Sequence, residues 1–174
     1  MRKLIKYMIT DPKYTLEEIK NTVLKHKPDF VCYRNKKYFN RQEITDFADF
    51  AKKHSKIFIN YDSLNNDFTL LSIFDGIHLP SSQISKINIF KNKTIIVSTH
   101  NEKEVLQAAN ADFITFSPVF NSKGRKGLGI EKLNKICELH SNVFALGGIV
   151  SEKEVEEIKK SEAVGFASIR YFFT

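Results

Sequence analysis

Short apolar, β-rich runs alternate along the chain with stretches whose apolar residues recur three and four apart. The runs at 3–9, 29–34, 56–60, 76–79, 94–99, 112–117, 142–146 and 164–169 predict eight strands. Ile95-Ile96-Val97 and Val143-Phe144-Ala145-Leu146 are apolar on both faces, the pattern of a parallel sheet covered on both sides. Between the strands, Thr15 followed by Glu18 reads as a capping box, with Leu16, Ile19, Val23 and Leu24 as the buried stripe behind it. Ser151 with Glu154 and Asn101 with Glu104 repeat that start signal. Residues 42–54 and 130–140 predict two further helices, 64–73 another, and 82–90 a short one.

Eight strand–helix units predict one α/β domain over 1–174, a compact (β/α)8 TIM barrel. Such barrels typically need about 200 residues or more, so the fourth helix is expected to be minimal and the eighth nearly absent. An open, doubly wound sheet with fewer strands is the structural alternative. A barrel left incomplete would expose apolar surface, which predicts a homodimer.

Composition narrows the partners. No apolar stretch approaches the roughly 18 residues of a spanning helix, and Lys6 interrupts the apolar run near the start. Neither a membrane span nor a signal peptide is predicted. Cys32 and Cys137 lack a CxxC spacing and read as buried thiols, which fits a reducing cytoplasm. The net charge is +7, and the whole excess lies in residues 1–60, with 14 basic against 7 acidic side chains. Because 22 of the 27 basic residues are lysines spread among helices, no nucleic-acid surface of clustered arginine and aromatic residues is predicted.

Candidate chemistry lies where the strands end, because a parallel barrel gathers its functional groups at the carboxyl ends of its strands. Those ends carry Thr10 and Asp11, Arg34 with Lys36, Asn60, His78, Ser98-Thr99-His100, Ser117, Gly147-Gly148 and Arg170. Gly147-Gly148 reads either as a tight turn or as a backbone N–H cradle for a phosphate, and Arg170 after the last strand tips the reading towards phosphate. The irregular segment 116–129 holds Lys123, Arg125 and Lys126 among Gly124, Gly127 and Gly129. It reads as a mobile cationic lid over an anionic substrate, or as a solvated basic loop. His26, His54 and His140 fall on helices or helix ends and read as surface groups.

Tyr33-Arg34-Asn35-Lys36, Ile59-Asn60, Asp75-Gly76-Ile77-His78-Leu79, Val97-Ser98-Thr99-His100, the run from Ala111 to Phe120, and Ala145-Leu146-Gly147-Gly148-Ile149 occur in an informative order and spacing. Through them the chain resembles, nearly end to end, the thiamin phosphate synthase/TenI superfamily of phosphate-binding barrels. The resemblance implies a small phosphorylated substrate. It matches Arg34, Lys36 and Asn60 to groups that hold a diphosphate, and Ser98 with Arg125 or Lys126 to others. Gly147 and Gly148 match the thiazole-phosphate site.

The departures carry as much. Tyr61 and Gln83 stand where the synthases of that superfamily have their Mg²⁺-binding aspartates, and Arg170 stands where they have a serine. No metal site is therefore predicted, and Mg²⁺ enters only if the chain is a synthase that rebuilds its site with Asp62 or substrate oxygens. Pro118 occupies the position of the TenI histidine, which leaves His78 and His100 as the candidate proton carriers. The first expectation is a TenI-like thiazole-phosphate barrel, a thiazole tautomerase. The alternatives are an active synthase, which would be a transferase, and a non-catalytic ligand-binding or regulatory protein.

Overall fold

β-Branched and aromatic runs, each too apolar to face water, pair side by side in chain order until the last meets the first. The computed structural model describes residues 2–174. Its strands are β1 (Ile5–Ile9), β2 (Phe30–Tyr33), β3 (Lys56–Asn60), β4 (Gly76–Leu79), β5 (Thr94–Thr99), β6 (Phe113–Phe116), β7 (Val143–Leu146) and β8 (Gly165–Ser168). All neighbours are parallel, and β8 pairs with β1 at Tyr7↔Ala167, so the barrel is closed. The expected (β/α)8 architecture stands, and the open edge that motivated a homodimer does not exist.

The covering layer is thinner than eight helices. Its α-helices are α1 (Leu16–His26), α2 (Arg41–Ala51), α3 (Glu102–Gln107), α4 (Gly129–Leu139) and α5 (Glu152–Lys159). The helix expected over 64–73 is replaced by two 3-10 turns, Tyr61–Leu64 and Phe68–Ile73, separated by Asn65 and Asn66 at left-handed φ of 49° and 64°. The short helix after β4 is also 3-10, over Ser81–Phe90, and kinks at Gln83. After β8 a turn takes the place of a helix, and its buried Phe172 packs on Phe166 and on the His26 ring at 5.9 and 5.5 Å.

Register sorts the side chains into two cores. Val31, Ile57, Ile77, Val97 and Ile114 point outward against Ile19, Ile44, Val105 and Leu133 of the helices. Inside the barrel the rings of Tyr7, Phe30, Phe58, Phe113 and Phe144 pack edge to face or tilted, with centroids 4.9–5.9 Å apart. Aromatic pairs of this kind add about 0.5–1.5 kcal/mol each beyond their burial. Gly76 makes the room they need, because a Cβ there would lie 2.6 Å from the Phe58 ring.

At the amino end, Asp29, Asp75 and Asp112 precede β2, β4 and β6. Each carboxylate accepts, at 2.8 Å, the first free N–H of the strand before it, from Lys6, Ile57 and Ile95. His140, expected at the surface, is buried at this end: it makes a 3.0 Å bond to the Ala111 carbonyl and accepts the Asn142 N–H at 3.1 Å.

Candidate functional site

Above the aromatic layer the interior turns polar, and there a cavity of about 460 Å³ opens at the carboxyl ends of the strands. Its wall contains six cationic side chains, Lys13, Arg34, Lys36, Lys123, Arg125 and Arg170, against one carboxylate, Asp11. Arg34 pairs with Asp11 at 3.6 Å and Lys36 with Asp62 at 3.4 Å. The other four cations have no carboxylate partner among the described residues. A half-enclosed surface with this excess raises the local concentration of anions.

The β2–α2 loop that carries Arg34 and Lys36 is fixed from below. Thr10 Oγ1 accepts the Arg34 N–H at 2.9 Å, and Ser63 Oγ accepts the Asn35 N–H at 2.9 Å. The buried Asn35 side chain in turn accepts the N–H groups of Lys37 and Tyr38 at 2.9 and 3.1 Å.

On the opposite rim Gly147 and Gly148 both take positive φ, 100° and 72°, which an L side chain adopts only with strain. Space forbids a side chain as well: a Cβ on Gly147 would sit 2.7 Å from Pro118 Cα, and one on Gly148 2.5 Å from the Asn121 carbonyl oxygen. Among the described residues, the N–H groups of Gly148 and Ile149 have no backbone acceptor, and both residues face the cavity with Arg170.

The loop from Ser117 to Leu128 is tied down at both roots. Val119 N–H donates to Leu146 O at 2.9 Å and Phe120 N–H to Gly147 O at 3.0 Å. At the other root Leu128 and Gly129 donate to Pro118 O and Val119 O, each at 2.9 Å. Its tip is a two-residue hairpin in which Ser122 and Arg125 exchange both backbone bonds around Lys123 and Gly124, at φ 49° and 75°. Positive φ at both central residues makes a type I′ turn. That turn brings Lys123 and Arg125 to the cavity wall, whereas Lys126 lies outside it.

His78 lies on the cavity floor, its side chain buried. Tyr7 Oη is 2.7 Å from Nδ1, and Ser98 Oγ is 2.8 Å from Nε2. Burial, then the Arg34 and Lys36 cations, hold the imidazole neutral by bringing its pKa down to about 3. Burial likewise drives the Tyr7 phenol well above its ordinary value. His100 does not line the cavity: it stands at the start of the β5–α3 connection, with Nδ1 3.1 Å from Glu104 Oε2.

The cavity thus gathers Arg34, Lys36, Asn60, His78, Ser98, Arg125, Gly147, Gly148 and Arg170 of the sequence candidates, and leaves out His100 and Lys126. It adds Lys13 and Tyr14 from the β1–α1 loop, where Tyr14 stacks on Phe173 at 3.9 Å. Nothing local in Asp11-Pro12-Lys13-Tyr14 announces that role, since the stacking partner comes from the far end of the chain.

The donor set does not fit a protein-held Mg²⁺. The Tyr61 hydroxyl accepts from Lys86 Nζ at 2.6 Å, and that ammonium sits 4.9 Å from the Tyr61 ring centre. The two nearby carboxylates, Asp11 and Asp62, each face a cationic side chain. A hard divalent ion needs carboxylate oxygens free to converge on it.

Residues 6–172 match the family described as thiamine monophosphate synthase. A Geobacter sulfurreducens protein described as a "Putative thiamine-phosphate synthase" is 35% identical over 114 residues, which cover 59% of this chain and 53% of that protein. The matched region therefore spans about half the length of that curated relative. Among solved structures, a thiamine phosphate pyrophosphorylase from Pyrococcus furiosus superposes with a TM-score of 0.78 at 20% identity, over 98% of this chain and 88% of that one. A tryptophan synthase complex from the same organism gives 0.72 at 12% identity, over 98% and 89%. At such identities these two likenesses speak for the barrel alone.

Proposed function

Because the chain belongs to the thiamine monophosphate synthase family, we propose that its cavity joins a hydroxymethylpyrimidine diphosphate to a thiazole phosphate. The observation that supports this most is that one cavity carries two sets of anion-binding groups. Gly147, Gly148 and Arg170 form one, and Arg34, Lys36, Lys123 and Arg125 form the other. In this reading the first holds the thiazole phosphate through backbone N–H groups and a guanidinium. The second holds the diphosphate.

The chemistry asks little else of the protein. The thiazole nitrogen lone pair forms a C–N bond to the pyrimidine methylene carbon, and the C–O electron pair leaves with the diphosphate. No proton need be taken or returned. The negative charge that grows on the leaving group is met by cations already in position, which cost no reorganisation as the bond breaks. No step is assigned to a metal.

The TenI-like reading uses the same phosphate end but requires a proton carrier. Both His78 nitrogens are occupied and His100 lies off the cavity, so the tautomerase ranks second.

The test is product formation from both phosphorylated substrates, with Mg²⁺ supplied or chelated. Product in both arms is expected, and Arg34→Ala should lower kcat about a hundredfold, as loss of one charge-stabilising donor does. Product only with Mg²⁺ would restore a metal role to Asp62. No product, with thiazole phosphate still bound, would make the protein a binding module.

A further inference from the structure

The interior contains one hydrogen-bond chain that the proposed reaction does not use as acid or base. Tyr7 Oη, the His78 ring and Ser98 Oγ follow one another at 2.7 and 2.8 Å, from the aromatic layer up to the cavity wall. Tyr7 is wholly buried on β1, His78 is 3% exposed on β4, and Ser98 on β5 faces the cavity. We infer that Tyr7 and His78 are positioning residues that lock the Ser98 hydroxyl into donating its proton to the bound diphosphate. Only the identity of that anion rests on the proposed reaction.

The direction follows from counting donors. A neutral imidazole has one N–H and one bare nitrogen. The phenol has a single proton and two neighbours that can take it, His78 Nδ1 and the Cys32 sulfur. Sulfur is a weak acceptor, and the Cys32 thiol itself turns towards the Tyr33 carbonyl at 3.7 Å. The phenol proton therefore goes to Nδ1. Nε2 then carries the ring proton and donates it to Ser98 Oγ. Ser98 Oγ has no other partner among the described residues, so its own proton is directed into the cavity.

The reversed chain would send the Ser98 proton down to Nε2 and the Nδ1 proton to the phenol oxygen, leaving the phenol only sulfur. It would also present the anion with a lone pair. Burial selects the first arrangement, because a buried donor without a good acceptor costs more than a paired one gains. A single phenol at the bottom of the barrel thereby sets the polarity of a hydroxyl at its mouth.

Two measurements on the whole protein test this. The first is titration calorimetry with inorganic diphosphate. Ser98→Ala should weaken binding about tenfold to a hundredfold, the worth of one hydrogen bond to a charged group. Tyr7→Phe, which touches no ligand, should weaken it nearly as much, and the double variant should be no weaker than Ser98→Ala. Independent, additive losses, or unchanged affinity in Tyr7→Phe, would overturn the chain.

The second is ¹⁵N spectroscopy of the His78 ring, which needs no ligand. Wild type should show the Nε2–H tautomer, and Tyr7→Phe should shift it towards Nδ1–H. An Nδ1–H ring in the wild type would overturn the inference whatever the calorimetry gives. Failure of the wild type to bind diphosphate, with Nε2–H observed, would count against the proposed reaction and leave the internal chain standing.

Discussion

Gly148 shows how a single atom sets a site. It sits at a φ of 72°, and a methyl group there would press on the Asn121 carbonyl oxygen and the Phe120 backbone, neither of which is a flexible side-chain end. Gly148→Ala should therefore cost roughly 1–3 kcal/mol of stability and remove thiazole-phosphate binding together. Urea unfolding and calorimetry on the same sample check both halves, and unchanged binding would remove the glycines from the phosphate end. The Gly-Gly pair was legible because it follows an apolar strand directly; the neighbour that forbids a side chain was not. The same holds for His78, whose place at a strand end was readable. Its two partners come from positions 7 and 98, so a ring that looked free for proton transfer is spoken for at both nitrogens.

At the scale of elements, local signals were reliable where they were self-contained. Thr15 Oγ1 accepts the Glu18 N–H at 3.2 Å and Glu18 Oε2 accepts the Thr15 N–H at 2.7 Å, both within four residues of chain. Thr15→Ala should lower stability by about 1 kcal/mol in chemical denaturation without touching the cavity. The stretch after β3 misled because apolar spacing over 64–73 imitates a helix, while Asn65 and Asn66 turn left-handed and break it. Segment 116–129 shows the converse. Its glycines and cations marked it as functional, but its bonds to the β7 end and its hairpin tip were beyond local reading. In this structure the loop is anchored at both ends and reaches the cavity through two cations.

For the whole molecule, stability has a pH dependence built into the barrel interior. His78 titrates near 6.5 when the chain is unfolded and near 3 when folded, chiefly through burial and then through Arg34 and Lys36. As pH falls below 6.5 the unfolded chain takes up a proton that the barrel refuses, so stability drops towards pH 3 by roughly 1.4 kcal/mol per pH unit. His26 and His140 are lowered too and act in the same direction. Comparing wild type with His78→Gln between pH 7 and 5 isolates the one ring: the variant should show the flatter loss, and equal slopes would refute the assignment. The charge pattern belongs to this scale as well. The basic excess of residues 1–60 delivers Lys13, Arg34 and Lys36 to the mouth, a link that composition could hint at but only the closed ring could place.

The five packed rings below the cavity have a consequence for what can be bound. They plug the bore of the barrel, so the molecule is a shallow dish with a hard base. On the proposed reading a ligand lies across it, with its anionic groups at the rim. A single extra methyl group directed along the barrel axis meets a floor that includes Ile9, His78 and Leu146, with the aromatic layer packed beneath it. On the proposed reading, selectivity in such a vessel is set at its rim, and a family of inhibitors for it would be ranked by length before depth.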